Sequence, residues 1–254
     1  MTKVFVIYQS LKWKSGVAPT QATGPMEDYA ESQSLMLARF ALDGTEELRV
    51  PIVANATNFE EDNFPDHCNV VVGSTLLVST GTSRNQKLKI RSVNTDGKLL
   101  ETHEIAMSET TVPSVIGNSM ASVSSGLLFF GASLSKKAVT VSKIDSADAA
   151  SDLISFGTAD LEENFPVGNY AERGYIFLAY IGRPEGFGQD IMANPFSPYL
   201  RVLNANRESI ANLKVGDAGF MHVHPTVAKV KDSLFVAYSK SVGGNPQSQV
   251  VEWK

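Results

Sequence analysis

The sequence is poor in several kinds of residue, and each shortage removes a class of protein. Cys68 is the single cysteine among 254 residues, so an internal disulfide is excluded. No run approaches 18 uncharged apolar residues, so neither a membrane-spanning helix nor a membrane partner is expected. Lysines and arginines number 22 against 27 aspartates and glutamates, and they form no basic face suited to phosphates. Nucleic acid is therefore not expected as a partner.

The start of the chain also lacks the features of a secretory leader. Its apolar run, Val4 to Tyr8, is followed at once by the polar Gln9 and Ser10, which is typical of a strand. Because a lone thiol and the lack of a leader both fit a reducing compartment, we expect a cytoplasmic protein.

What the sequence does contain is a degenerate repeat of roughly 50 residues, built on short apolar runs. Continuous apolar runs of this kind are typical of strands buried on both faces, as where sheets stack face to face. Three of the five runs end in tyrosine: Val4-Phe5-Val6-Ile7-Tyr8, Leu76-Leu77-Val78-Ser79-Thr80, Leu127-Leu128-Phe129-Phe130, Ile176-Phe177-Leu178-Ala179-Tyr180 and Leu234-Phe235-Val236-Ala237-Tyr238. We predict equivalent buried positions at Phe5, Leu77, Leu128, Phe177 and Phe235.

Around these runs the pattern predicts blades of four antiparallel strands. After four of the runs come a second strand, a turn and a third strand, and the turns hold Asp43-Gly44, Asp96-Gly97, Asp145 or Asn204. Such residues tolerate a positive φ and are typical of hairpins. A shorter strand precedes each run from the second onward. It would form the innermost strand of its blade.

The spacing of the repeat predicts one all-β domain over residues 1–254, a β-propeller of about five blades. The triplet Asn63-Phe64-Pro65 returns as Asn164-Phe165-Pro166, about two blades later. The blades would cover residues 1–58, 59–110, 111–160, 161–215 and 216–254 approximately. Four or six blades remain open, as do short helices over residues 27–42 and 146–153, which are rich in helix-forming residues.

One stretch resembles known propellers at the level of its strand pattern. His224-Pro225-Thr226-Val227-Ala228, running into Leu234-Phe235-Val236-Ala237-Tyr238-Ser239, is similar to blades of five-bladed propellers. That superfamily contains glycosidases and small lectins. The sialidase box, the Trp-Asp signature and a tryptophan-rich sugar site repeated in each blade are all absent. The resemblance therefore implies a fold and assigns no functional residue.

In such a fold the largest concavity is the mouth of the central channel, where the innermost strands begin. Polar residues on those strands are the candidates for a site: Asp66, His67, Asn69, Asn118, Asn169, Tyr170, Glu172, His222 and His224. His222 and His224 alternate with apolar neighbours, so a regular strand points both to one side. They suit acid–base chemistry, and a structural role is the alternative.

No metal and no cofactor are predicted. A His-x-His pair without a third ligand is a weak metal signal, and the segments 60–66 and 162–166, interpreted as acidic loops, lack the spacing of a calcium loop. Cys68 follows His67 and would be a nucleophile if deprotonated, but a buried, inert thiol is the favoured interpretation.

Two connections between strands are long and rich in apolar residues, which is typical of functional loops. Residues 11–33 hold Trp13, and residues 182–198 hold Phe187. We interpret these loops as a lid over one mouth of the channel, with a homodimer contact as the alternative.

The function predicted from these features is the binding of a small, partly apolar molecule at the channel mouth. An enzyme of the isomerase, cyclase or lyase type would use His222, His224, His67 and Tyr170 for proton transfer. A lectin-like carbohydrate-binding propeller is the first alternative. A glycoside hydrolase is the second, since it needs two carboxylates and Asp66 and Glu172 are the best available. The remaining candidates, Asn69, Asn118, Asn169, Trp13 and Phe187, would contact the molecule or sugar.

Overall fold

The protein is almost entirely β-structure. A computed structural model describes residues 3–17, 26–59, 64, 67–82, 87–106, 119–123, 126–133, 138–144, 150–156, 161–164, 169–172, 174–184, 196–216, 222–230, 232–242 and 245–253. Within these residues the only helix is a single turn, α1 (Met26–Tyr29), and every other regular element is a strand in an antiparallel sheet. None of the described helical structure is long or apolar enough to cross a bilayer. The predicted all-β class is confirmed.

The chain divides into two compact units, residues 1–106 and 107–254. The first unit holds two sheets whose strands follow one another in chain order. Sheet 1 consists of β1 (Lys3–Trp13), β2 (Ala30–Ala41) and β3 (Glu46–Ala56). Sheet 2 consists of β4 (His67–Val72), β5 (Thr75–Thr82), β6 (Lys87–Val93) and β7 (Leu99–Ala106).

The second unit holds three sheets, again built from neighbouring strands. Sheet 3 consists of β8 (Ser119–Val123), β9 (Gly126–Ser133), β10 (Ala138–Ile144) and β11 (Ala150–Phe156). Sheet 4 consists of β12 (Leu161–Asn164), β13 (Asn169–Glu172), β14 (Tyr175–Pro184), β15 (Ser197–Leu203) and β16 (Ser209–Lys214). Sheet 5 consists of β17 (His222–Val230), β18 (Ser233–Val242) and β19 (Asn245–Trp253). Each sheet falls within one predicted repeat, while the number of blades and the single domain stay predictions.

The outer hairpins have the turn chemistry that the sequence indicated. The side-chain oxygen of Asn94 accepts hydrogen bonds from the N–H groups of Asp96 and Lys98, at 3.0 and 2.9 Å. Asn204 does the same in sheet 4. The fourth residue of each turn has a positive φ, 78° at Gly97 and 65° at Arg207. Only the first of these carries no steric penalty.

Within each unit the sheets stack face to face. Sheet 1 packs on sheet 2 through a core that includes Leu37 and Val78. Sheet 4 is covered on both faces: Leu178 packs against sheet 3, while its neighbour Ala179 packs against sheet 5. Because consecutive residues of a strand point to opposite faces, a strand covered on both sides has to be apolar throughout. This explains the continuous apolar runs.

The predicted core positions are equivalent, but only one of them is buried. Leu128 is buried, whereas Phe5, Leu77, Phe177 and Phe235 are half-buried. The residue that follows carries the deepest burial instead, as at Val78, Phe129, Leu178 and Val236. The prediction was therefore right at Leu128 and one residue out in sheets 2, 4 and 5, while in sheet 1 the buried residue is Ile7. The period of a strand does not reveal which face is covered more closely.

Three local predictions need correction. Glu162 and Glu163, interpreted as part of an acidic loop, lie in β12, and β12 pairs with β14. The alternative of a helix over residues 27–42 is wrong beyond Tyr29, because β2 begins at Ala30. The alternative of a helix over residues 146–153 is wrong from residue 150 onward, because β11 begins there. The two long connections are also shorter than predicted, because β1 continues to Trp13 and β14 to Pro184.

Candidate functional site

One strand from each of the three sheets in the second unit, β8, β13 and β17, lies beside a strand of the next sheet. Strand β13 contacts both β8 and β17. This arrangement places β13, with Asn169, Tyr170 and Glu172, next to β17, which begins with His222 and includes His224. Two adjacent strands thus carry five of the residues that the sequence singled out, but at different levels. Glu172 lies opposite Tyr175, whose equivalent in β18 is Ser233, whereas His222 lies opposite Lys240, seven residues further along or about 23 Å away.

Strand β13 is the second half of an interrupted inner strand. Asn164 of β12 lies opposite Ile181, and Asn169 of β13 lies opposite Leu178. Five steps along the inner strand thus match three steps along β14, so the inner strand has gained two residues. Insertions of this kind bend a strand and redirect the residues beside it, and they are frequent next to active sites.

The histidine pair lies at a second irregularity. In β17, Val223 is opposite Ser239 while Thr226 is opposite Ala237, so one extra residue is inserted at His224-Pro225. Proline has no N–H for the ladder and is tolerated at such a bulge. The prediction that His222 and His224 share one side assumed a regular strand. The bulge interrupts this alternation between Val223 and Thr226.

A buried hydroxyl begins the neighbouring strand. Ser119 is 6% exposed, and among the described residues its Oγ has no hydrogen-bond partner. A buried polar group without a partner costs roughly 1–3 kcal/mol, so such groups are uncommon outside sites that receive a ligand or a water. Ser119 was not among the predicted site residues, although a serine at the start of an inner strand was a usable signal.

In the first unit, His67 is engaged by backbone on both sides of its ring. Its Nδ1 lies 2.7 Å from the carbonyl oxygen of Phe64, and its Nε2 lies 3.1 Å from that of Ile7 in β1. A carbonyl oxygen can only accept a hydrogen bond, and a neutral imidazole carries one N–H, so only one of the two contacts can be a hydrogen bond at a time in that form. These contacts link β4 to β1. They favour a structural role, and catalysis by His67 stays a prediction.

The thiol next to His67 has the inert character that was favoured. Cys68 is buried, and its Sγ lies 2.7 Å from the hydroxyl of Ser79. Burial raises the pKa of the Cys68 thiol to about 12, against a smaller opposing effect of the bond to Ser79. Since only the thiolate is a nucleophile, Cys68 is unreactive near neutral pH.

The other predicted residues are dispersed or lie outside the described part of the chain. Asn69 is exposed on β4, and Trp13 is half-buried at the end of β1, opposite Ala30. Asp66, Asn118 and Phe187 fall outside the described residues. The predicted lid therefore stays a prediction.

The carboxylates of the inner strands are far apart. Glu162 lies opposite Arg183 and Glu172 lies opposite Tyr175, which are eight residues apart on β14. At about 3.3 Å per residue their backbones are separated by about 26 Å. A pair for glycoside hydrolysis needs about 5–9.5 Å, so these two glutamates cannot form one. No group of three metal-ligating side chains occurs within the described residues.

Two buried arginines, which the sequence analysis missed, occupy equivalent places in sheets 2 and 4. Arg91 donates to the hydroxyl of Thr80 at 2.6 Å, and its guanidinium lies 5.8 Å from the ring centroid of Phe64. Arg201 donates to the hydroxyl of Tyr180 and lies 5.5 Å from the ring centroid of Phe156. Each arginine stands three residues before the asparagine of its hairpin turn. This common spacing is visible in the sequence and could have identified the two arginines as equivalent.

Comparison with known proteins identifies the fold class and no family. No family model matches the chain, and no curated protein matches it. The solved structures it resembles include a Bombyx mori β-fructofuranosidase in complex with sucrose, with a TM-score of 0.57 and 11% identity over 99% of this chain and 57% of that one. A protein described as a glycoside hydrolase gives a TM-score of 0.55 at 7% identity, over 100% of this chain and 84% of that one.

A Penicillium chrysogenum α-L-arabinanase in complex with arabinobiose gives a TM-score of 0.49 and 13% identity, over 74% of this chain. The chain spans 61% of that arabinanase and 57% of the β-fructofuranosidase. The fold is that of a β-propeller. Its neighbours of known structure are mainly glycoside hydrolases.

Proposed function

We propose that this protein binds a carbohydrate on the adjoining strands β8, β13 and β17 and hydrolyses a glycosidic bond there. The observation that carries the proposal is the contact of β13, which holds Tyr170 and Glu172, with both β8 and β17. The likeness of the fold to a sucrose-bound β-fructofuranosidase supports a sugar as the ligand. No comparison supports isomerase, cyclase or lyase chemistry, so the glycoside hydrolase replaces them as the leading hypothesis.

The residue types on these strands suit the recognition of a sugar. Tyrosine presents an aromatic face to the apolar C–H side of a sugar ring, while hydroxyl, amide and imidazole groups hydrogen-bond its hydroxyls. The hydroxyl of Ser119, at the start of β8, has no hydrogen-bond partner within the described part of the chain and offers one more such group in the same unit.

The hydrolytic step needs two carboxyl groups, and Glu172 is the only carboxylate of β8, β13 and β17. One group protonates the leaving oxygen while the other attacks the anomeric carbon or activates a water. We assign one of these roles to Glu172. The second carboxylate has to come from a segment outside these three strands.

The decisive experiment compares the wild-type protein with Glu172→Gln on a panel of small oligosaccharides, sucrose and arabinobiose included. Hydrolysis should fall by several orders of magnitude, because an amide neither donates an acidic proton nor attacks, while calorimetric affinity should change little. Asp232→Asn removes the same charge from an exposed turn of the second unit and serves as the control.

The outcomes separate the remaining hypotheses. Sugar binding without hydrolysis by the wild-type protein would favour the lectin-like alternative. If folded variants of both His222 and Tyr170 lose sugar binding while Glu172→Gln hydrolyses as fast as the wild type, the proposed binding site is right. Glu172 is then not a catalytic residue. The absence of any binding to the panel would contradict the proposal.

A cytoplasmic location and a homodimer contact through the long loops are also kept as proposals. Cell fractionation tests the first, and light scattering of the purified protein tests the second.

A further inference from the structure

A buried hydroxyl at the start of β8 lacks the partner that its counterpart in sheet 2 has. Ser119 is 6% exposed, and within the described residues no group hydrogen-bonds with its Oγ. It lies opposite Phe130, whose ring has no hydrogen-bonding atom. At the equivalent position of sheet 2, Cys68 lies opposite Ser79, and their side chains are hydrogen-bonded at 2.7 Å. Sheet 2 therefore satisfies this position by itself, whereas sheet 3 does not.

The hydroxyl of Ser119 faces sheet 4. Phe130 packs with Ile176 and Leu178 in the core between sheets 3 and 4. Residues that lie directly opposite each other in an antiparallel pair point to the same face, so Ser119 also points towards sheet 4. The inner strand of sheet 4, β13, contacts β8 and carries Glu172. Ser119 is therefore directed towards the sheet that holds the proposed catalytic carboxylate.

Ser119 and Glu172 lie at different levels of the two adjoining sheets. Phe130, opposite Ser119, is equivalent to Ala179 in β14, whereas Glu172 lies opposite Tyr175. Ala179 and Tyr175 are four residues apart in β14, which corresponds to about 13 Å along the strand. A single sugar ring does not reach across this distance, whereas two linked rings do. A ring whose glycosidic bond lies at Glu172 therefore does not itself contact Ser119.

The buried hydroxyl of Ser119 has a cost that an alanine would avoid. A buried polar atom without a partner lowers the stability of the folded state, and alanine would fill the same position without that loss. Such atoms are found mainly where a ligand or an ordered water completes their hydrogen bonds. Sites that bind ligands commonly retain side chains that lower stability, because those side chains serve function.

From these relationships we infer that Ser119 selects an oligosaccharide as the substrate, an inference that rests on the proposed function. Its hydroxyl hydrogen-bonds, directly or through one ordered water, with the sugar unit beyond the two that the cleaved bond joins. The preferred substrate therefore has at least three linked sugar units. Ser119 is a specificity-determining residue and takes no part in bond cleavage.

The kinetic test compares short and long substrates of two sugar types on the full-length protein. The short ones are nitrophenyl α-L-arabinofuranoside and sucrose, and the long ones are arabinotriose and kestose. Ser119→Ala should lower kcat/KM about tenfold for the long substrate that is cleaved, through a higher KM, as expected for the loss of one hydrogen bond. Its kcat/KM for the short substrates should not change. Ser122→Ala, which alters an exposed serine of the same strand, should change neither.

Thermal unfolding separates a ligand-binding role of Ser119 from a structural one. Ser119→Ala should unfold at the temperature of the wild type or above it, because the substitution removes a buried polar atom that has no partner within the described residues. A serine that supports the sheet would instead give a lower unfolding temperature when it is replaced.

Three results would overturn the inference. These are an unchanged kcat/KM of Ser119→Ala on the long substrates, an equal loss on short and long substrates, and a lower unfolding temperature. The proposed catalysis is judged separately, because full hydrolysis by Glu172→Gln contradicts it, whereas a loss in Ser119→Ala confined to long substrates would still support oligosaccharide binding. If none of the four substrates is cleaved, both proposals are wrong.

Discussion

The guanidinium of Arg201 lies 4.9 Å from the ring centroid of Tyr180 and donates from Nη2 to its hydroxyl at 3.2 Å. The same hydroxyl donates to the side-chain oxygen of Asn212 at 2.7 Å. Tyr180 is fully buried and Arg201 is 2% exposed, so two neutral acceptors, the Tyr180 hydroxyl and the Phe156 carbonyl, receive hydrogen bonds from a buried charged group. A buried charge destabilises the folded state unless it is hydrogen-bonded. The hydroxyl of Tyr180 therefore stabilises the protein by accepting a hydrogen bond from Arg201.

Tyr180→Phe should accordingly destabilise the protein by about 1–3 kcal/mol, because a donor of Arg201 loses its acceptor in a place that water does not reach. Urea unfolding measures the change. The control is Tyr175→Phe, since Tyr175 is 46% exposed and its hydroxyl can turn to water. Equal stability of the two variants would mean that the buried network contributes nothing.

Leu178→Ala should lower the free energy of unfolding by about 2–5 kcal/mol, through lost burial and the cavity left between sheets 3 and 4. The matched surface change, Val250→Ala, removes a side chain that is 64% exposed and should stay within about 0.5 kcal/mol. If Leu178→Ala behaved like the surface change, the observed packing of sheet 4 on sheet 3 would be wrong.

The turn after β15 offers a stabilising substitution. Arg207 has a φ of 65°, a conformation that glycine adopts without strain, so Arg207→Gly should raise stability by roughly 0.5–1 kcal/mol. The reciprocal change, Gly97→Ala, should destabilise, because φ there is 78° and the new Cβ would overlap Val50. Thermal unfolding of both variants tests the pair, and a more stable Gly97→Ala protein would contradict this account of the turns.

The raised pKa of Cys68 predicts a particular dependence of stability on pH. A thiol with a pKa near 9 when unfolded and about 12 when folded favours the folded state fully below pH 9. This contribution is lost as the pH rises from 9 towards 12, because the unfolded chain releases a proton that the folded chain retains. Urea unfolding at pH 8 and pH 10 should therefore show a larger decline for the wild-type protein than for Cys68→Ala. An equal decline would mean that the thiol is accessible in the folded protein.

Much of the fold could be predicted because its signals are local. A continuous apolar run, an asparagine or Asp-Gly turn and a second run specify a hairpin through backbone sterics and side-chain hydrogen bonds within about ten residues. That is why the hairpins after Val78 and Leu178 were found. The equivalence of the runs was also right, since a repeat preserves spacing even when identities diverge.

The candidate site could be predicted only in outline. The inner strands that carry Tyr170 and His222 were located, but the two-residue insertion before Asn169 and the bulge at His224-Pro225 were not. Both irregularities depend on which residue of the next strand is opposite, and that register is a long-range property. The hydroxyl of Ser119 was missed for a related reason, since its burial comes from contacts with other strands.

The sequence by itself determined that this protein is built from antiparallel sheets, because apolar runs, turn residues and spacing act within a hairpin. Only the tertiary structure decided that Leu178 and not Phe177 is fully buried, and that Arg91 and Arg201 are buried. It also decided that the ring of His67 contacts the backbone carbonyl of Ile7. The alternation of side chains along a strand gives two faces and does not show which face is the more buried. The neighbouring sheet, distant in the chain, determines how deeply each face is covered and which polar groups find partners there.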